Sequence, residues 1–405
     1  MLLGLVTIPY LIRNTGLETF GVLTLVWALI GYFSIFDFGI GRALTHQVSS
    51  ELAKGSNSNI AGTVKTGTLL MAAFGLAGGA ILAFTAHQFG YKWLNVSAEI
   101  RQATSNALMI AAIGIPMTTL ITGLRGVLEG FEDFRLANVY RLILGIANFG
   151  LPALSVLILG PSLEYMVASL VLARAVLLVA HWVSVSAKLA AWPSPQPTGS
   201  IKLRELLHFG AWMTLSNIIS PLLVTADRFI ISNLLGAAVV AYYTVPFDLI
   251  VRLLIIPAAL TSALFPRLTN LLQSQPAAAR HLYRKSFLAV AGVMLPLSLV
   301  LALMSKIGLT IWVGSAFADR SWLIAAVLAL GLLCNSLAQI PHAAVQAGGN
   351  IKGTAILHLT EFLVYIPFLY LAIQLYGLTG AAVAWVARVL LDLVLLMLMA
   401  RRDMK

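Results

Sequence analysis

Charge is scarce in this sequence: only 10% of its 405 residues are Asp, Glu, Lys or Arg, against about 25% in a soluble globular chain. Cysteine is nearly absent. The one thiol, Cys334, lies inside an apolar run, so no intrachain disulfide can form and no zinc or thiol cluster is encoded. There is no G-x-x-x-x-G-K-[ST] loop, which argues against ATP hydrolysis by the chain itself. Neither H-E-x-x-H nor G-x-S-x-G occurs, and no catalytic constellation is visible. His46, His87, His181, His208, His281, His342 and His358 are scattered without metal-ligand spacing, His358 beside Glu361 excepted. These gaps exclude a water-soluble enzyme, a secreted disulfide scaffold and a disordered chain.

What the chain has is apolar residues: 60% of the sequence, with a mean hydropathy of +0.92. The predicted class is an all-α polytopic membrane protein. A membrane-crossing helix takes roughly 20 residues, so twelve would use about 240 and leave short loops only. The net charge of +11 would suggest nucleic acid in a soluble protein. In this composition it marks basic cytoplasmic loops, and no nucleic-acid partner is expected.

Hydropathy places spans at 1–12, 20–38, 61–86, 102–122, 139–160, 165–187, 208–233, 241–265, 286–305, 322–342, 354–373 and 380–400. The first is about 12 residues long, too short to cross, and reads as the second half of a helix. Alternate loops at 39–60, 123–141, 188–204, 266–285, 346–353 and 401–405 carry 16 Lys and Arg, and the opposite set carries 5. The first set is therefore cytoplasmic, with the C-terminal tail inside. Trp93, Trp312 and Trp322 fall at the outer boundary, where aromatic belt residues collect. Loops 39–60 and 266–285 are amphipathic and basic. They read as interfacial helices on anionic lipid, or less readily as a docking face for a cytoplasmic enzyme.

Pro193, Pro195 and Pro197 cannot continue a helix and mark a central linker. The expected division is a lobe at 1–187, a linker at 188–205 and a second lobe at 206–405. Asn14-Thr15-Gly16 and Asn233-Leu234-Leu235-Gly236 follow the first spans of the two halves, 219 residues apart. Such parallel repeats belong to transporters that rock one half against the other around a midplane site.

Ionisable groups inside spans are costly and mark function. Arg174 lies near the middle of span six, roughly 15 Å of helix from either end, and no acid of its half shares that depth. It is expected to face water, the other half or an anionic ligand. Arg252 and Arg388 each have an acid four residues away, Asp248 and Asp392. Such pairs are self-neutralised, yet a paired Arg can still offer donors to a phosphate. Asp227 and Arg228 point about 100° apart on a helix and need separate partners, with Asp248 a candidate for Arg228. His358 and Glu361 share a face and form a candidate protonatable pair. Counting these groups, a central cavity is expected to be cationic or neutral. Thr118, Thr119, Asn148, Ser216, Asn217, Asn335, Ser336 and Gln339 could line a polar lumen or bond helix to helix.

Several motifs occur in a fixed order. They are Ile8-Pro9-Tyr10 through Gly16, Asp37-Phe38-Gly39-Ile40-Gly41-Arg42, Gly123-Leu124-Arg125-Gly126 through Phe134, Ala226-Asp227-Arg228-Phe229 and Leu264-Phe265-Pro266-Arg267. With the span count, the sequence resembles the polysaccharide-biosynthesis transport family, whose members include O-antigen (Wzx-type) flippases of the multidrug/oligosaccharidyl-lipid/polysaccharide exporter superfamily. The resemblance implies twelve helices in two six-helix lobes around a V-shaped cavity in the inner membrane. It implies a flippase that moves a polyprenyl-diphosphate-linked oligosaccharide to the outer leaflet, with Arg174, Arg252 and Arg388 as candidates for the anionic linkage. Implied partners are this substrate, membrane lipid and glycan polymerase machinery. No cofactor or metal is implied, and a proton or sodium gradient is one source of energy. The competing readings are a cation-coupled multidrug antiporter, for which Glu361 would be the key acid, and a scaffold for a glycan-assembly complex. A peptidoglycan-precursor flippase would be longer, with fourteen spans.

Overall fold

The computed structural model describes residues 2–32, 39–53, 60–191 and 225–403. The proline linker, most of the seventh expected span, Asp37, Lys54, Lys202, Arg204, Ser216 and Asn217 lie outside them. The described residues are helical throughout, and they form two compact units. One is Met1–Thr225 with Gly236–Ala238, and the other is Ala226–Leu235 with Val239–Lys405.

In the first unit, α1 (Leu2–Thr15) and α2 (Leu17–Tyr32) are separated by Gly16, whose φ of 81° suits glycine. Then come α3 (Ile40–Ala53), α4 (Ile60–Gln88), α5 (Arg101–Gly130), α6 (Phe134–Leu159) and α7 (Leu163–Ala191). A π-turn at Phe89–Trp93 extends α4. Helix α7 runs on through Lys188–Ala191, residues expected to open the linker. Lys188 reaches Asp133 at 2.7 Å. Asp133 also caps α6, accepting from the Leu136 N–H at 3.1 Å. The Lys188 ammonium, and then that N–H, hold its carboxyl below the usual carboxylate range.

The second unit contains α8 (225–235) and α9 (Ala237–Val251), a 3₁₀ turn at Arg252–Leu254, and α10 (Ile255–Ser274). These are followed by α11 (Pro276–Trp312), α12 (Ser315–Ala347) and α13 (Ile351–Asp403). Gly377, at φ 59° and ψ −140°, breaks α13 into two helices. They correspond to the eleventh and twelfth expected spans. Because the break is sharp, residues near 360 and near 390 come together.

The surface is apolar and the interior holds charge, the reverse of a soluble protein. Phe84 is 86% exposed and Ile311 81%, whereas Arg174, Asp227, Arg228 and Glu361 are buried. Hydrocarbon outside accounts for both, and the chain is a multi-pass membrane protein. Among the described residues, eight helical segments are long and apolar enough to cross a membrane, with α13 counted once. The described parts of α1 and α2 are 14 and 16 residues long. Twelve crossings therefore do not follow from length and composition.

Helix α3 departs from the interfacial reading of loop 39–60. Its apolar stripe of Ile40, Leu44 and Val48 is buried against Val64 and Met71 of α4 and Leu124, Val127 and Leu128 of α5. Protein rather than lipid covers that stripe. Two hydroxyls fix the dock: Thr45 Oγ1 donates to the Gly126 carbonyl at 2.9 Å and Ser49 Oγ to the Gly130 carbonyl at 3.1 Å. The approach needs glycine on α5. A Cβ on Gly126 would strike the Gly41 carbonyl, and one on Gly130 would lie 2.8 Å from Val48 Cβ. Of loop 266–285, Arg267, Arg280, Arg284 and Lys285 are exposed as expected, but on α10 and α11 themselves.

Gly126→Val is expected to lower stability by about 1–3 kcal/mol, the usual cost of overpacking. Thermal unfolding in detergent measures the loss, and limited proteolysis should then cut first within α3. An unchanged unfolding temperature would mean that α3 is not docked as described.

Candidate functional site

Each unit buries charge, and each does so differently. In the first unit Arg174, on α7, is 3% exposed. Its Nη1 donates to the Leu170 carbonyl one turn back at 2.8 Å, and its Nη2 donates to Asn148 Oδ1 on α6 at 3.1 Å. Gly114 of α5 leaves room beside it, where an added Cβ would lie 3.9 Å from Arg174 Cδ. Its Nε has no hydrogen-bond partner, and no acid among the described residues forms an ion pair with it. In this conformation Arg174 is held by its own unit, whereas the sequence suggested water, the other half or an anionic ligand as its partner. It is packed among three helices of its own unit, and a neutral amide takes one fork of the guanidinium. Asn148 is thereby drawn out of the candidate lumen set. Thr119 is drawn out too, since its hydroxyl joins α5 to the Met71 carbonyl of α4 at 3.2 Å. Thr118 and Ser336 bond within their own helices, to Gly114 and Leu332.

In the second unit the charges form a connected network. Asp227 on α8 is 0% exposed. It accepts from Tyr243 Oη of α9 at 2.6 Å and from the Arg228 backbone N–H at 2.8 Å. Arg228 turns the other way, as adjacent helix positions require. Both its Nη atoms meet Asp248, Nη1 to Oδ2 at 3.4 Å and Nη2 to Oδ1, and its guanidinium lies 5.8 Å over the Phe247 ring. Separate partners for Asp227 and Arg228 were expected from the sequence. The two oxygens of Asp248 serve this interhelical fork. Arg252 falls in the 3₁₀ turn and is half-buried.

The two halves of α13 supply the rest. Arg388 lies 5.4 Å over the Tyr365 ring and within electrostatic reach of Asp227, Glu361 and Asp392. It is therefore not a private partner of Asp392. Asp392 Oδ1 lies 3.8 Å from His358 Nε2. His358, Glu361 and Asp392 each place a ligand-type atom within 4.8 Å of the other two, so this trio could hold a cation. The sequence reading saw no metal-ligand set. It missed this one because Asp392 is remote in sequence and arrives through the turn at Gly377. His342 stacks on His358 at 5.6 Å and 20°. His342, Tyr243 and Tyr365 were also missed, since an aromatic or histidine in an apolar run gives no sign of facing a charge. The expected cationic or neutral balance counts both halves with Arg174, and among these groups the second unit taken by itself holds one acid more than its arginines. Asp227, Asp248, Glu361 and Asp392 stand against Arg228, Arg388 and half-buried Arg252.

Comparison with known proteins follows the fold. Residues 1–272 match the family described as polysaccharide biosynthesis protein. A Shigella flexneri protein named "Putative O-antigen transporter" is 34% identical over 98% of this chain and 93% of its own length. An inward-facing multidrug resistance MATE family transporter of the MOP superfamily superposes with a TM-score of 0.83 at 13% identity, covering 98% of this chain and 92% of that one. The lipid II flippase MurJ, inward closed, gives 0.76 at 14% identity, covering 100% and 87%. At such identities these two structures establish the fold alone.

The Arg228–Asp248 fork should show the asymmetry of buried ion pairs. Asp248→Leu alone is expected to cost about 3–5 kcal/mol, because it strands the buried guanidinium, and Arg228→Met less, because the Asp248 side chain is 35% exposed. The double variant should cost less than either single one. A double-mutant cycle on unfolding in detergent reads this coupling, and additive losses would count against the fork.

Proposed function

The chain belongs to the polysaccharide biosynthesis protein family, and we propose that it is a flippase for a polyprenyl-diphosphate-linked oligosaccharide. The substrate passes from the cytoplasmic to the outer leaflet of the inner membrane. The relative named for O-antigen transport supports this reading, and so does a fold shared with a lipid II flippase. The observation that carries it furthest is Arg174. A guanidinium has five N–H donors, and this one keeps Nε free in an apolar interior with no acid paired to it. Such a charge is costly unless an anion repays it. A diphosphate offers oxygens in the bidentate geometry that a guanidinium fork matches. At 3% exposure, Arg174 meets the diphosphate in a conformation other than this one. Arg252 and Arg388 are the other cationic contacts of the proposal.

The transporter crosses the membrane with its C-terminus in the cytoplasm, as the basic loops dictate. The flipped product is consumed outside by glycan polymerase machinery, the partner this reading implies. A cation-coupled multidrug antiporter is the second reading, favoured by the surplus of acids in the second unit. It would make Glu361 rather than Arg174 indispensable.

Complementation separates these readings. A strain lacking the gene should lose surface polysaccharide and regain it with the wild-type chain. Arg174→Ala, at equal membrane level, should reduce flipping about 10–100-fold, the worth of a charge-assisted hydrogen bond of roughly 1.5–3 kcal/mol. Arg174→Lys keeps the charge, loses the fork and should rescue in part. Full restoration by Arg174→Ala overturns the site. Unchanged surface glycan after deletion overturns the function, and drug sensitivity that follows Glu361 would favour the antiporter.

A further inference from the structure

His358 and Glu361 stand three residues apart on the first half of α13, a spacing that puts both heads on one helix face. Helix bundles build carboxylate–imidazole metal sites from such i,i+3 pairs, completed by an acid from a facing helix. Here the facing helix is the second half of the same α13, and the acid is Asp392. The three ligand-type atoms lie within 4.8 Å of one another, and His358 Nε2 is 3.8 Å from Asp392 Oδ1. Atoms about 2.0–2.2 Å from a shared ion sit roughly 3–4.4 Å apart, so small side-chain rotations close the set.

The carboxylates themselves point to a ligand. Glu361 is 4% exposed, and both its oxygens lack a hydrogen-bond donor, as does Asp392 Oδ1. The one guanidinium in reach, Arg388, lies over Tyr365 and also serves Asp227. Arg388 is thus divided among Glu361, Asp392 and Asp227, and Asp227 also has Arg228 beside it. His342, stacked on His358, fixes the plane of the imidazole. The side chain of His358 is 32% exposed, so the trio is not sealed within the unit.

We propose that His358, Glu361 and Asp392 bind a divalent first-row transition-metal ion that ties the two halves of α13 together across the break at Gly377. Two carboxylates and an imidazole suit Mn²⁺ through Zn²⁺, whereas sodium and calcium favour oxygen-only sets. His358 and Glu361 before the break and Asp392 after it then act as one clamp. The inference stands apart from the flippase reading, because it concerns binding and not transport.

The test uses the full chain purified in detergent, stripped with chelator and titrated with Co²⁺. One equivalent should bind, with the visible absorption of a nitrogen- and oxygen-ligated ion, and the unfolding temperature should rise with its concentration. His358→Ala and the near-isosteric pair Glu361→Gln with Asp392→Asn should each weaken binding by more than about 100-fold. Loss of an outer-shell partner alone costs roughly 10–100-fold. Substoichiometric binding that survives His358→Ala would mean an adventitious ion only and overturns the site. Stabilisation by sodium or by acid, without the cobalt spectrum, assigns the carboxylates to a sodium ion or a proton and overturns it equally. If the Glu361/Asp392 variant does not fold, the wild-type titration and His358→Ala still decide. None of these readings depends on surface glycan.

Discussion

Hydrocarbon offers no hydrogen bond and no counter-ion, and most of this structure answers to that constraint. Every backbone group must be satisfied within the chain, so the described residues are helical. Every charge must find a partner inside the protein. The Arg228–Asp248 fork and the Asp227–Tyr243 bond are such answers, and both tie α8 to α9. Apolar residues gain nothing by hiding from lipid, so close packing has to come from shape. Gly126 and Gly130 supply it by letting α3 lie directly on the α5 backbone, where Thr45 and Ser49 donate to carbonyls.

The two units carry the constraint to opposite ends. The first buries one guanidinium, spends two of its donors on a carbonyl and an amide, and gives it no acid. Asn148 solvates Arg174 without neutralising it, which is what the diphosphate proposal requires. Had α6 carried an acid at position 148, the pair would be closed and the site inert toward diphosphate. The second unit buries acids beyond what its arginines offset. Arg228 pairs with Asp248 and also lies beside Asp227, while Arg388 faces Asp227, Glu361 and Asp392.

Hydropathy made the apolar spans legible because crossing a bilayer requires an uninterrupted apolar run. Side-chain positions at i,i+3 were legible too, since helix geometry fixes them locally, and His358 with Glu361 was visible for that reason. The reversal between 373 and 380 was legible as well, and the break falls at Gly377. What the sequence did not show is the rotation of the second helix that brings Asp392 to face His358. Helix α3 shows the same limit. Periodicity disclosed an apolar stripe but not whether lipid or protein covers it, and the cover turned out to be α4 and α5. Arg174 was found by depth alone. Its partner Asn148 lay on another helix, among polar residues that could as well have lined a lumen.

Gly377 matters most where these threads meet. A straight helix would hold His358 and Asp392 roughly 50 Å apart, at 1.5 Å per residue. The break brings them within 3.8 Å, and with them come two buried carboxylates whose repulsion works against the fold-back. Something must offset that repulsion for the hairpin to be the stable form. Arg388 offsets part of it, but its position over Tyr365 and beside Asp227 divides its charge. A proton shared between the two carboxyls, or the metal ion proposed above, would offset the remainder. On that proposal the stability of the α13 hairpin and the occupancy of its acidic site are one equilibrium: a ligand that favours the closed hairpin is favoured by it in return.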